Sequence, residues 1–173
     1  MISNWDKSFT LLLKSEGGYV VNPADPGGRT NLGVTQNTWE SWVGRPSNEK
    51  EMRGLTPSDV APLYKKKFWD ACSCDDLPAG VDYLVFDFAV NAGVGRSAKT
   101  LQSAVGATPD GSIGKVTVAA ANGIPASDLI EKFSQIKTEF YQSLPTFSTF
   151  GKGWLNRVAA VKEQAILIST DKG

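Results

Sequence analysis

A glycine-rich stretch near the start of the chain decides how the fold is interpreted: residues 16–35 run EGGYVVNPADPGGRTNLGVT. Upstream of it, apolar residues recur at three- and four-residue spacing: Trp5, Phe9, Leu12 and Leu13. That spacing predicts an amphipathic helix whose core-facing stripe continues to Glu16. Gly17 is a natural helix stop. The stretch therefore predicts one carboxylate, Glu16, at a rigid helix end and a second, Asp25, on the glycine-rich turn beside it.

These two carboxylates point to acid–base chemistry. Glu16 on a core-facing stripe should be partly removed from water, which favours the protonated form and raises its pKa. Asp25, on a better solvated turn, should stay ionised. Two carboxyl groups with separated pKa values are what glycosidic bond cleavage usually requires. Aspartate is also a common turn former, so a purely structural role for Asp25 stays open at this point.

The rest of the chain predicts a mainly α fold with a small β element. Residues 19–35 combine short apolar pieces with proline and glycine, which indicates a small β-hairpin or an Ω-like loop. Helices are predicted over 36–43, from the Thr56 cap to about Trp69, over the nearly apolar stretch 81–92, and around 130–144 and 154–168. Asp87 and Asn91 share one face of the central helix, 81–92. They either tie that helix to the glycine-rich loop or present Asn91 to a substrate cleft beside Glu16.

Composition excludes several classes of protein. The chain has 173 residues with 18 basic and 18 acidic side chains, so its net charge gives no reason to expect nucleic acid as a partner. It has no histidine, which removes the usual base of serine and cysteine hydrolases. Cys72 and Cys74 are too close in sequence for an unstrained disulfide, and we expect free thiols. With no histidine and no third cysteine, a zinc site is not expected, and no cofactor is predicted.

No apolar run approaches the length of a membrane span, and the N-terminus lacks a signal-peptide pattern. We therefore expect neither a membrane-spanning segment nor a signal peptide in this sequence.

The stretch 16–35 resembles the signature of glycoside hydrolase family 108, whose members are bacterial and phage N-acetylmuramidases. The resemblance continues downstream in Tyr64, Trp69-Asp70, Leu77–Val81 and Phe86–Gly93. It then runs into a stretch similar to the peptidoglycan-binding region that usually follows this catalytic module, with matches at Leu101-Gln102, Gly106, Asp110-Gly111, Gly114, Thr117 and Gly153–Val158. The resemblance implies a lysozyme-like fold, a catalytic region over 1–96 and a peptidoglycan-binding-like helical region over 97–173, packed into one compact unit.

The resemblance also assigns roles to residues. Glu16 is expected to be the catalytic acid, and Glu16, Asp25 and Thr30 follow the glutamate, aspartate and threonine order of many phage lysozymes. Further contacts to peptidoglycan glycan strands are expected from these residues: Tyr19, Thr35, Tyr64, Trp69 and Asn91. For Tyr64 and Trp69 the expected contact is an aromatic face for a sugar ring.

The expected activity is hydrolysis of the β-1,4 bond between N-acetylmuramic acid and N-acetylglucosamine. The resemblance also implies a monomer that is made in the bacterial cytoplasm without a signal peptide and reaches the cell wall after release through a holin-type lesion or by another route. Two alternatives stay open. A lytic transglycosylase can work with one acid and no water-activating aspartate, and a non-catalytic wall-binding or secretion-accessory protein could keep the same scaffold.

Overall fold

The computed structural model describes residues 3–21, 23–24 and 28–171. The chain divides into two compact units. We call Trp5–Lys67 the N-terminal unit, and Met1–Asn4 together with Phe68–Gly173 the C-terminal unit.

Short helices and a small sheet make up the N-terminal unit. The elements are α1 (Trp5–Ser15), β1 (Val20–Val21), β2 (Arg29–Asn31), β3 (Val34–Thr35), α2 (Gln36–Val43), α3 (Glu49–Arg53) and α4 (Pro57–Tyr64). Helix α1 buries Phe9 and Leu12, the residues that its periodicity places on one face. Helix α4 begins with a capping box between Thr56 and Asp59, with Pro57 in its first turn, so its start follows directly from the sequence.

The three strands form one antiparallel sheet in the order β1-β2-β3. Thr30 pairs with Val20 on one side and with Thr35 on the other. Asn31 pairs with Val34, so only Leu32 and Gly33 connect β2 to β3. The predicted small β element is therefore a three-stranded sheet, and its β2–β3 hairpin has a two-residue turn.

Helices dominate the C-terminal unit. A π-helical segment (Lys65–Asp70) follows α4 directly; it begins in the N-terminal unit, and its residues from Phe68 on belong to the C-terminal unit. A 3₁₀ turn (Cys74–Asp76) comes next. The remaining helices are α5 (Val81–Ala92), α6 (Val94–Val105), α7 (Lys115–Asn122), α8 (Ala126–Gln142) and α9 (Phe147–Thr170). Cys72 and Cys74 are buried free cysteines, as predicted.

Helix α5 forms the centre of the C-terminal unit. All nine residues from Val81 to Ala89 are buried, and the helix packs against α6, α8 and α9. Phe88 makes edge-to-face contacts with Phe133 and Phe140 of α8. The predicted buried central helix is confirmed with the expected bounds, because an almost entirely apolar stretch can be covered only by neighbours on all sides.

A buried ion cluster joins three of these helices. The carboxylate of Asp87 on α5 lies 3.4 Å from Nζ of Lys137 on α8 and 3.0 Å from Nη2 of Arg157 on α9. The side chains of Asp87 and Lys137 are each 1% exposed. Burial lowers the pKa of Lys137, and the negative charge of Asp87 opposes that shift. Asp87 therefore ties α5 to α8 and α9.

The mainly α, lysozyme-like fold with a small β element is confirmed. Helix α2 has the predicted bounds, and the helix expected from Thr56 to about Trp69 is present as α4 with the π-helical segment continuing it to Asp70. Helix α3 was not predicted. Within the described residues, no helix is long and apolar enough to cross a membrane.

The boundary expected at residue 96 does not coincide with the division into compact units, which falls after Lys67. Residue 96 lies inside α6, which packs against α5 in the C-terminal unit. A division of functions between 1–96 and 97–173 stays a prediction.

We expect Asp87→Asn to lower the free energy of unfolding by about 3–5 kcal/mol, because it leaves Lys137 buried without its carboxylate. Urea denaturation followed by circular dichroism measures this loss. The control is Glu49→Gln, which breaks the exposed ion pair with Arg53 and should cost at most about 1 kcal/mol. Equal losses in the two variants would contradict this account of the cluster.

We expect a fragment of residues 1–96 to lack cooperative unfolding. It would carry α5 without α8 and α9 and with only the first residues of α6, so apolar side chains such as Phe88 would lose their covering partners. At about 25 cal/mol per Å² such exposure is comparable with the stability of a whole domain. A soluble fragment that melts cooperatively and lyses cell walls would contradict the expectation.

Candidate active site

Glu16 lies directly after the last residue of α1. Its backbone N–H donates to the carbonyl of Leu12 at 3.3 Å, which extends the helical hydrogen bonding by one residue. The side chain is half-buried. Gly17 and Gly18 follow, and a Cβ added to either would meet no heavy atom within 4 Å. Glu16 therefore lies at the end of a helix, as its sequence pattern predicts.

The hairpin turn between β2 and β3 has unusual backbone conformations. Leu32 has φ +53° and Gly33 has φ +79°. Two consecutive residues with positive φ are what a type I′ turn requires, and its twist suits a two-residue hairpin. A branched side chain such as that of leucine is rare in this region, so Leu32 is a strained position.

Tyr64 of α4 is hydrogen-bonded to this turn. Its hydroxyl donates to the carbonyl oxygen of Leu32 at 2.8 Å. The side chain is buried, with 2% exposure, and its ring is tilted against that of Phe9 at 5.5 Å between centroids. Burial raises the pKa of Tyr64 well above its usual range, and the charge of Glu16 adds to the effect.

Gly33 is the point where the turn meets both Tyr64 and Glu16. A Cβ at this position would lie 2.5 Å from the hydroxyl oxygen of Tyr64, 2.9 Å from Oε2 of Glu16 and 3.1 Å from Cδ of Glu16. Real Cβ atoms essentially never show contacts below 3.0 Å. The positive φ of residue 33 favours glycine, and any larger residue here would require the Tyr64 hydroxyl and the Glu16 carboxyl to move.

Thr30 and Thr35 are neighbours across β2 and β3, so their side chains lie on one face of the sheet. The hydroxyl of Thr35 caps α2: it accepts from the N–H of Thr38 at 3.2 Å and donates to the hydroxyl of Thr38 at 2.9 Å. Thr30 is half-buried in the central strand. The catalytic role of Thr30 and the substrate contact of Thr35 stay predictions.

Tyr19 lies just before β1 and has one ring face covered. The guanidinium carbon of Arg53 sits 4.2 Å from its ring centroid. Its hydroxyl is buried and has no hydrogen-bond partner among the described residues. A contact of Tyr19 with a glycan stays a prediction.

Two of the residues predicted to contact sugars, Tyr64 and Trp69, are buried in the structure. Tyr64 is 2% exposed and Trp69 is fully buried, so neither ring offers a face to a sugar in this structure. The indole N–H of Trp69 donates to Asp75 at 3.0 Å, and the ring packs edge-on against Phe86 within the C-terminal unit. Large aromatic side chains usually pack in the core, and both do so here.

Asn91 is exposed, and its side-chain amide donates to the backbone carbonyl and the carboxylate of Asp87. The amide is therefore already hydrogen-bonded to the ion cluster, and substrate binding by Asn91 stays a prediction.

Asp25 lies outside the described residues. Among the described residues, no group of three or more Cys, Asp or Glu side chains could hold a metal ion.

The sequence indicated Glu16 but not its surroundings. Leu32-Gly33 could have been identified as a two-residue hairpin turn, because it separates two short strand-like pieces. Nothing in the local sequence connects that turn to Tyr64, which follows 32 residues after Leu32.

Comparison with known proteins places the chain in a family. Residues 9–93 match the model of the family described as Glycosyl hydrolase 108. A solved structure described as that of Brucella abortus SagA is 40% identical to this chain in sequence and has a TM-score of 0.86. The match covers 98% of this chain and 97% of the other chain. The chain belongs to glycosyl hydrolase family 108. No curated protein matches it.

Membership makes the protein a glycoside hydrolase and supports peptidoglycan as the polymer it cuts. The matched segment 9–93 includes Glu16, the hairpin and Tyr64. The family model therefore matches the part of the chain that contains the site described above.

We expect Gly33→Ala to lower the free energy of unfolding by about 2–4 kcal/mol. About 1–2 kcal/mol comes from the left-handed backbone, and the rest comes from the clash with Tyr64 and Glu16. The control is Gly44→Ala, since Gly44 has nearly the same φ, +78°, and no heavy atom within 4 Å of its Cβ position. Chemical denaturation should show the smaller loss for Gly44→Ala, and equal losses would contradict the steric part of the account.

Proposed function

We propose that this glycoside hydrolase cleaves the β-1,4 bond between N-acetylmuramic acid and N-acetylglucosamine in peptidoglycan, with Glu16 as the general acid. The observation that carries the proposal is the placement of the Glu16 carboxyl against the Leu32–Gly33 turn. One side of the carboxyl lies close to that turn, which limits its movement in that direction. Rigid placement of a proton donor lowers the barrier because its alignment with the leaving oxygen does not have to be found during the reaction.

In the proposed reaction, Glu16 protonates the glycosidic oxygen as the bond to the anomeric carbon breaks. Asp25 either activates a water molecule on the opposite face of the sugar or stabilises the oxocarbenium-like charge. Thr30 orients that water through its hydroxyl. The two possible roles of Asp25 correspond to inverting and retaining courses, which differ in the separation of the two carboxyl groups.

Contacts with the glycan are proposed for Tyr19, Thr35 and Asn91, and residues 97–173 are proposed to hold the polymer near the site. The support is the similarity of this C-terminal stretch to peptidoglycan-binding regions, described above from its sequence.

Replacement of the acid tests the proposal. Glu16→Gln keeps the shape of the side chain but cannot donate a proton, so we expect lysis of purified cell walls to fall by about two to four orders of magnitude. Zymograms and turbidity assays measure the loss, and thermal melting should show little change. A variant that kept more than about a tenth of the wild-type activity would remove Glu16 from the mechanism.

Asp25→Asn separates a catalytic Asp25 from a turn former. We expect strongly reduced hydrolysis with wall binding still detectable by pull-down, because the amide can neither accept a proton nor carry a negative charge. Full activity in this variant would make Asp25 a turn residue and would require another base.

Product analysis distinguishes the two reaction types, and the wall assay separates an enzyme from a binding protein. Hydrolysis gives reducing muramic acid ends, whereas a lytic transglycosylase gives anhydro ends that are lighter by one water. We expect reducing ends by mass spectrometry. A wild-type protein that binds walls without releasing soluble fragments would instead be a wall-binding or accessory protein.

A further inference from the structure

Three aromatic side chains form a continuous row where α8 packs against α9. The ring of Tyr141 on α8 lies 5.2 Å from that of Trp154 on α9, with 31° between the ring planes. The ring of Phe150, one turn before Trp154 on the same helix, lies 5.8 Å from it at 32°. We call Tyr141, Trp154 and Phe150 the aromatic row. At these separations the rings are offset, so neighbouring rings do not fully cover each other's faces.

The aromatic row begins at the core of the C-terminal unit and ends at its surface. Phe88, which is fully buried, packs edge-on against Tyr141 with 6.0 Å between the ring centroids. Tyr141 and Trp154 are half-buried, and Phe150 is 53% exposed. Core packing therefore accounts for the inner end of the row but not for the outer end. Single exposed apolar residues are common, whereas apolar side chains that lie together at a surface mark an interaction site.

The two inner rings also carry polar groups that reach the surface. The indole N–H of Trp154 and the hydroxyl of Tyr141 make no hydrogen bond within the described part of the chain, and neither atom is buried. A sugar ring has an apolar face of C–H groups and a rim of hydroxyl and acetamido groups. The aromatic row offers ring faces for the first and hydrogen-bonding groups for the second.

The chain around the outer end of the row is rich in hydroxyl groups and poor in charge. Among residues 143–156, Lys152 is the one charged residue. The same stretch has four exposed serine and threonine residues: Ser143, Thr146, Ser148 and Thr149. Anionic membrane surfaces are recognised instead by clusters of lysine and arginine. The composition of this stretch therefore favours a polar, uncharged chain such as a glycan.

Two arginines lie near the inner end of the row. Arg157 is bound to the carboxylate of Asp87 at 3.0 Å. The guanidinium carbon of Arg96 lies 4.6 Å from the ring centroid of Phe140, whose ring is 5.6 Å from that of Tyr141. Arg96 is exposed, so its guanidinium is accessible to a carboxylate on the peptide stem of a wall polymer.

Resting on the proposed function, we propose that the aromatic row is a glycan-binding surface that holds a strand of peptidoglycan on the C-terminal unit. Trp154 and Phe150 stack against sugar rings, and Tyr141 supports Trp154 from the core side. Aromatic rings have few rotatable bonds, so they supply contact area with little loss of conformational freedom on binding. Glu16 belongs to the N-terminal unit, so the two roles belong to different units of the chain.

The test is the affinity for purified peptidoglycan, measured as a binding isotherm by co-sedimentation. All proteins carry Glu16→Gln, so that the polymer is not cut during the measurement. We expect Phe150→Ala to bind about five- to thirtyfold more weakly, because it removes the most exposed ring of the row. Phe150→Tyr keeps an aromatic face and should bind as tightly as the parent protein.

Leu167→Ala is the matched control, because Leu167 lies on the same helix and is 54% exposed. It removes a similarly exposed apolar side chain away from the row and should leave the affinity unchanged. The inference is overturned if Phe150→Ala binds as tightly as the parent protein, or if Leu167→Ala loses as much affinity as Phe150→Ala.

A second measurement reports on the row directly. The indole N–H signal of Trp154 in a proton–nitrogen NMR spectrum is assigned by its loss in Trp154→Leu. We expect this signal to shift when a soluble tetramer of N-acetylglucosamine is added, and to shift much less in Phe150→Ala. A Trp154 signal that does not move at saturating tetramer overturns the inference.

Two other occupants of the row give different results. A row that binds membranes would hold vesicles of phosphatidylglycerol and phosphatidylcholine, and Phe150→Ala would lose the vesicles while keeping its affinity for peptidoglycan. A contact between two copies of the chain would appear as a dimer in analytical ultracentrifugation that Phe150→Ala dissociates, again with unchanged affinity for peptidoglycan. Either result overturns the inference.

The outcomes also separate this inference from the proposed function. If the Glu16→Gln protein still releases soluble fragments from walls, the proposed function fails, and binding that depends on Phe150 still supports the inference. If the Glu16→Gln protein is inactive and binds walls equally well with and without the Phe150 ring, the inference fails and the proposed function stands.

Discussion

The hydrogen bond from the hydroxyl of Tyr64 to the carbonyl of Leu32 is the interaction on which the candidate site depends. It fixes a two-residue turn in which both residues have positive φ, one of them a leucine. A turn of this kind persists only where its surroundings compensate for the backbone strain. The compensation comes from a buried tyrosine on α4, and the turn so fixed is the surface against which the Glu16 carboxyl lies.

This arrangement explains why several residues near the site are constrained together. The positive φ of Gly33 favours glycine, and a larger residue would require the two oxygens beside it to move. Asn31, which precedes the turn, is buried and donates to the carbonyl of Met52 at 2.8 Å, so the hairpin is also anchored to α3. A flexible hairpin would let the carboxyl adopt many orientations, whereas a fixed one gives the acid a defined position.

The C-terminal unit depends on a different constraint. Asp87 on the central helix is buried and needs the cations on α8 and α9, because a lone charge away from water is strongly destabilising. This requirement fixes which faces of three helices meet. The side-chain amide of Asn91, on the same helix, also donates to the Asp87 carboxylate.

The sequence was sufficient for features that depend on local patterns. The bounds of α2 and α5 and the capped start of α4 follow from caps and apolar patterning, and Glu16 was placed at a helix end by periodicity. The π-helical segment has no such pattern, and α3 is too short and too charged to show one. The burial of Tyr64 and Trp69 and the contact between Tyr64 and the turn are tertiary, so an aromatic residue in the sequence could be assigned equally well to the core or to a sugar.

The most direct test of the central claim is a crystal structure of the Glu16→Gln variant with a bound peptidoglycan tetrasaccharide. We predict that the amide of residue 16 lies within hydrogen-bond distance, about 3 Å, of a glycosidic oxygen. The Leu32–Gly33 turn should remain fixed by Tyr64 on the other side of that amide. A glycan bound productively elsewhere, with its glycosidic oxygens beyond reach of residue 16, would contradict the account.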